Sequence, residues 1–157
     1  MSPTDWVFLD AGLFIGALLS GDSRHTEARP IVEAARRGEF AACTSVGILA
    51  EVYAALTWIG AQPTQTPEVA SHAVNLLVTN PSEIRVLETG VDAGKKILEL
   101  AANYRLTARR IHDARHAATA LVAGVRQVYT YDIADWQVFQ PDGIVLIDPK
   151  SRTSSSM

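Results

Sequence analysis

The sequence predicts an α/β fold around a mostly parallel sheet of five strands, and three observations predict it. Five short apolar segments recur along the chain, each the length of a buried strand. Segments with helical spacing fall between them, the pattern of strands joined by crossover helices. The chain has 157 residues, 48% apolar and 20% charged, which is the size and composition of one globular domain. Residues 1–150 are assigned to that domain. The polar run at 151–157 is expected to be a disordered tail.

The elements follow in order. Residues 6–9 read as a first strand that ends at Asp10, and residues 13–19 as a short apolar helix closed by a Ser-Gly-Asp-Ser turn. Residues 26–37 place Ile31, Ala34 and Ala35 on one side of a helix, with Gly38 as its cap and Pro30 tolerated early in it. Residues 40–44 form a second strand. Ser45 is the N-cap of a helix reaching residue 58. After a loop over 60–67, a helix at 68–78 is stopped by Asn80-Pro81, and residues 84–87 make the third strand. Helices at 91–104 and 113–123 follow, the second ended by Gly124. Residues 127–130 and 144–147 are the fourth and fifth strands.

Composition excludes several classes. Fourteen Lys and Arg against seventeen Asp and Glu give a net charge of -3, which is not that of a generic nucleic-acid coat protein. A single cysteine, Cys43, excludes an internal disulfide and a cysteine-based zinc site, and fits a reducing compartment. The first twenty residues carry Asp5 and Asp10 and no Lys or Arg, so no signal peptide is expected. Asp10, Asp22 and Glu51 interrupt the apolar stretches well short of the roughly 18 residues of a membrane span. The expectation is a cytoplasmic protein with no membrane segment.

The acids carry the chemistry. Ligands in a parallel α/β sheet bind at the carboxyl ends of strands. Asp10 directly follows the first strand and Asp132 the fourth, where a carboxylate caps a helix, forms a turn or faces a site. Glu51 stands inside an otherwise apolar helix, with Gly47, Ile48, Ala54 and Ala55 three and four residues away. It is either that helix's lone solvated residue or a site residue with room beside it. Asp113 opens its helix as an N-cap or first-turn acid, with small Ala117 and Ala120 on its side. Asp10, Glu51, Asp113 and Asp132 can converge at one end of the sheet. Such a cluster calls for a cation, and hard divalent ions take oxygen ligands together with substrate phosphates.

Four blocks now resemble the PIN-domain family of ribonucleases and, within it, the VapC-type toxins of toxin–antitoxin pairs. They are Phe8-Leu9-Asp10-Ala11-Gly12-Leu13-Phe14-Ile15, Thr44 to Val52 around Glu51, Ile111 to Leu121 around Asp113, and Val128-Tyr129-Thr130-Tyr131-Asp132-Ile133-Ala134-Asp135-Trp136. Their order and spacing span residues 8–136. The resemblance implies a three-layer α/β/α PIN-like fold. It implies an endoribonuclease dependent on Mg²⁺ or Mn²⁺, with Asp10, Glu51, Asp113 and Asp132 as catalytic metal-site acids. Asp135 could supplement or replace Asp132, and Thr130 could support a ligand carboxylate or the attacking water. One position departs from the family pattern. Two residues after the first Asp, where a Ser, Thr or Asn is common, this chain has Gly12.

Eleven of the fourteen cations are Arg, and Arg105, Arg109, Arg110 and Arg115 fall close to Asp113. Arg forks suit phosphate oxygens. Arg109, Arg110, His112, Arg115 and His116 are therefore the candidate RNA contacts, set against the simpler reading of a solvated helix face. Arg24, His25 and Arg29 form a second candidate patch. The resemblance also implies a cognate antitoxin whose basic side chain enters the acidic groove, and a homodimer is expected beside it. The helices at 13–19 and 31–35, with Val52, Leu56 and Ile59, offer apolar surface for either partner, or else core. The alternatives within the fold are an RNA-processing nuclease without antitoxin and a catalytically degenerate RNA- or protein-binding module. An all-helical His-Asp phosphohydrolase is disfavoured by the strands, and a receiver domain by the missing second acidic pair and Lys.

Overall fold

The computed structural model describes residues 5–150, and the expected tail at 151–157 lies outside them. Five strands form one parallel sheet: β1 (Val7–Leu9), β2 (Ala42–Ser45), β3 (Arg85–Leu87), β4 (Gln127–Tyr129) and β5 (Val145–Ile147). Their spatial order is β3-β2-β1-β4-β5. Phe8 pairs with Cys43 on one side and Val128 on the other, so β1 is the centre of the sheet. All three of its residues are buried, as a strand covered on both faces requires.

The helices are α1 (Ala11–Leu18), α2 (His25–Arg36), α3 (Val46–Thr57), α4 (Pro67–Val78), α5 (Val91–Asn103), α6 (Ile111–Val122) and α7 (Ile133–Trp136). The chain moves outward from β1 to β3 and then crosses back to β4 and β5. Right-handed crossovers therefore put α1 to α4 on one face and α5 to α7 on the other, giving three layers. Helix α1 packs on α2 and α3, α3 on α4, and α5 on α6, in keeping with that division. The order reverses at β1, and the crevice between neighbouring β1 and β4 is the topological switch point where such folds place a site.

Local chemistry sets the boundaries. Asp10 accepts a hydrogen bond from the Ala11 amide and starts α1 two residues earlier than its apolar run suggested. Ser45 accepts one from the Ile48 amide at 3.2 Å, the expected N-cap of α3. Gly38 (φ 74°) and Gly124 (φ 81°) take the left-handed conformation that ends α2 and α6. Helix α6 opens at Ile111, after a 3-10 turn at Ala108–Arg110, so Asp113 lies in its first turn and caps nothing. Pro30 sits at the sixth position of α2, beyond the first turn, so this helix forgoes one interior hydrogen bond. Helix α7 and the 3-10 segment Gln137–Asp142 were not expected, because four residues are too few to show a period.

The core corrects one expectation about surfaces. Leu13, Phe14, Leu19, Ile31, Val32, Ala35, Val52 and Leu56 are all buried in the main apolar cluster. Of the residues offered as partner-binding surface, Ile59 is the clear exception at 89% exposed. Cys43 is buried in the centre of the sheet, and that burial pushes its thiol up to about 12. No helix among the described residues is long and apolar enough to cross a membrane.

Candidate active site

The carboxyl ends of β1 and β4 open into a cleft of about 100 Å³ lined by Asp10, Glu51, His112, Asp113, His116, Asp132, Asp135 and Trp136. All four acids singled out in the sequence stand on it, together with Asp135. Each arrives by a different route. Asp10 is the first residue after β1, and Asp132 follows β4 and precedes α7. Glu51 is carried by α3, which begins directly after β2, and Asp113 by the first turn of α6.

Asp10 is the most constrained. It is buried, and its Oδ2 accepts hydrogen bonds from Thr130 Oγ1 at 2.7 Å and from Trp136 Nε1 at 3.1 Å. Thr130 in turn accepts the Asp132 amide at 2.9 Å, so one hydroxyl fixes both acids. Thr130 is thus a support for Asp10, as the sequence allowed. The Trp136 contact was invisible there, because only the turn made by α7 brings that ring back over the end of β1.

Glu51 faces His116, with Oε1 and Nε2 2.6 Å apart. Burial raises the Glu51 carboxyl, but that hydrogen bond and the charges of His116, Arg115 and His112 outweigh it, and the group lies below its ordinary value. Asp113 and Asp132 are displaced the other way. Partial desolvation raises both. The Asp135 charge adds to it for Asp113, and the Asp10, Asp135 and Glu51 charges add to it for Asp132. Arg110 and both histidines oppose the rise at Asp113, and Arg24 opposes it at Asp132.

The cations divide. Arg109, Arg110 and His112 are exposed beside Asp113. Arg115 turns inward, and its guanidinium lies over Gly47 of α3, where a Cβ would stand 2.5 Å from Nη2. His116 is buried against Glu51, whereas His112 is exposed.

The sequence comparison decides the family. The family model described as PIN domain matches residues 7–134. The chain belongs to the PIN-domain family. Solved structures with the same fold include the sarcin–ricin loop cleaving toxin VapC20 of Mycobacterium tuberculosis, at 19% identity and TM-score 0.65 over 88% of this chain and 96% of that one. A toxin–antitoxin complex from Klebsiella pneumoniae matches at 20% identity and TM-score 0.58, over 91% and 97% of the two chains. VapBC-1 from nontypeable Haemophilus influenzae matches at 17% identity and TM-score 0.63, over 92% and 98%. No curated protein matches the chain in sequence.

The donor chemistry of this PIN domain fits a hard divalent ion. The available groups are carboxylate oxygens, and desolvation with added repulsion from neighbouring acids holds Asp113 and Asp132 above their ordinary range. The expected convergence is incomplete, however. Among the described residues, no three His, Cys, Asp or Glu side chains stand together as a ready ligand set. The five acids ring the cleft, and Glu51 is drawn aside by His116.

Proposed function

We propose that this PIN domain is a metal-dependent endoribonuclease, and that it is the toxin of a toxin–antitoxin pair. The observation that carries the reading is the cleft at the β1–β4 switch point, which five carboxylates from four separate segments line. Asp10, Asp113 and Asp132, with Glu51 and Asp135, would hold Mg²⁺ or Mn²⁺. A bound ion of this kind lowers the pKa of a water and steadies charge on the phosphoryl and leaving oxygens.

The chain's own groups do the rest. Thr130 and Trp136 fix the Asp10 carboxylate in one orientation. His116 holds Glu51 ionised at the edge of the cleft, where it would be available to a bound cation. One of the carboxylates accepts the proton of the attacking water. Exposed Arg109, Arg110 and His112 lie where they can meet backbone phosphates, which positions the RNA without reading its sequence.

The antitoxin part of the reading rests on the fold shared with toxin–antitoxin proteins and on charge. A Lys or Arg from a partner complements the charge of a cleft lined by five acids. Exposed Tyr53, Trp58 and Ile59 on and just after α3 supply apolar surface for that partner or for a homodimer.

The test is cleavage of total RNA by the purified protein free of antitoxin, in Mg²⁺, in Mn²⁺ and in EDTA, beside D10N and D113N. Cleavage is expected only for wild type and only with metal. Equal cleavage by wild type and both variants defeats the proposal.

A further inference from the structure

The position where this chain departs from its family pattern is filled by another residue. Gly12 and Gly16 lie one turn apart on α1 and leave a groove along one face. Arg24, at the start of α2, lies in it. A Cβ at Gly16 would come within 2.9 Å of the Arg24 Cβ, and a Cβ at Gly12 within 2.8 Å of its Nη1. The side chain therefore runs from Gly16 toward Gly12, which is toward the end of α1 that begins at Asp10.

The guanidinium is held by a carboxylate and a ring. Its Nε and Nη2 donate to Asp22 at 2.9 and 2.8 Å. Its carbon lies 5.4 Å from the centre of the Tyr131 ring, over the ring face. Tyr131 is itself anchored by a 2.7 Å hydrogen bond from its hydroxyl to Glu27 of α2. The Nη1 edge makes no hydrogen bond among the described residues. The side chain is 31% exposed, so solvent or a ligand can reach it.

The location matters. Gly12 is two residues from Asp10, and Tyr131 immediately precedes Asp132. The guanidinium thus rests between the two segments that deliver those acids, and Asp132 and Arg24 sense each other's charge. Arg110, just before α6, stands within charge range of Asp113. A polyanion approaching five carboxylates needs cations on its path. Neither arginine lines the cleft itself, but each lies within charge range of an acid that does, Arg24 of Asp132 and Arg110 of Asp113.

We propose that Arg24, laid in the Gly12–Gly16 groove, binds a phosphate of the RNA strand next to the scissile bond through the Nη1 edge of its guanidinium. The proposal rests on the nuclease reading. A Cβ at residue 12 would stand 2.8 Å from Nη1, so the fork could keep its present position only beside a glycine. Rigid anchoring by Asp22 and Tyr131 means that little side-chain freedom is lost on binding.

The test uses the full chain in EDTA and a fluorescein-labelled single-stranded RNA dodecamer, with affinity read by anisotropy across a series of KCl concentrations. R24M keeps an apolar stem in the groove and removes the charge. G12S keeps Arg24 and pushes it out. Each is expected to weaken binding roughly tenfold at low salt, as the loss of one charged hydrogen bond does. Each is also expected to flatten the slope of log K against log salt by about 0.7, the value of one single-strand phosphate contact. R37Q, at the far end of α2, is the control for simple loss of charge and keeps the wild-type slope. R24M and G12S proteins that bind with wild-type affinity and slope, while wild type cleaves, make Arg24 a strut between α1 and α2 and overturn the proposal. A wild type that neither binds nor cleaves RNA defeats the nuclease reading instead.

Discussion

Trp136 spends its only polar group on Asp10, 126 residues earlier in the chain. A buried indole N–H needs an acceptor, and a carboxylate oxygen is a strong one. Replacing it with Phe keeps the ring packed against Phe8 and Phe139 but frees one side of the Asp10 carboxylate. W136F should lower metal affinity or cleavage by roughly 10–100-fold, the usual effect of losing an outer support. Titration with Mn²⁺ and a cleavage assay check it, and an unchanged variant would show that Thr130 alone fixes Asp10. Asp132 makes a different prediction. Its folded pKa is raised, so its ionisation works against the metal-free fold; stability is fullest below the ordinary carboxylate pKa and is lost as pH rises through the raised value. D132N should therefore melt higher than wild type at neutral pH without metal. The gap should close in acid, and the variant should lose the stabilisation that metal gives wild type. Thermal melts with and without Mg²⁺ across pH decide this. Glu51 has the opposite sign, since its lowered pKa supports the fold at neutral pH and is lost as pH falls through that lowered value.

At the level of elements, helix ends show what a sequence reveals and what it hides. Gly38 and Gly124 were legible as caps because a glycine after a helical run has one main use, and both adopt the left-handed conformation. Helix α5 ends with the same backbone arrangement, Leu106 N–H reaching Ala101 O at 2.8 Å, but its left-handed residue is Arg105 at φ 54°. Nothing in an arginine announces that role. Gly38→Ala should cost about 1 kcal/mol, the penalty for a Cβ in this conformation, and Arg105→Gly should shift stability the other way. Urea unfolding of both variants measures the contrast. The acids divide similarly. Asp10 and Asp132 were legible from their positions after strands, and Asp113 and Glu51 from small neighbours and family blocks. The links that arrange them, Trp136 to Asp10, His116 to Glu51 and Arg24 over Gly12, join residues far apart in sequence and depend on packing that no local pattern records.

For the whole molecule, the net charge of -3 describes no surface in particular. Acids gather at one cleft, and cations stand at its margins, so the sum conceals a field that a polyanion would feel sharply. The sheet that holds this arrangement is made of strands only three or four residues long. Its persistence rests on the two helical layers that cover it. Cys43 gives access to that property. It lies on β2 between β1 and β3, shielded and with a thiol that stays protonated near neutral pH. Only 1% of the residue is exposed, at the floor of a pocket lined by Trp6, Arg85 and Leu87, so a bulky disulfide reagent should reach it chiefly when the layers part. The rate of its labelling thus becomes a clock for opening of the molecule, with a reporter residue that is already in the sequence. An ion held only by the closed form should slow that clock by the factor 1 + [L]/Kd. Labelling in rising Mn²⁺ would then yield the metal's affinity in a protein that has never been asked to cut anything.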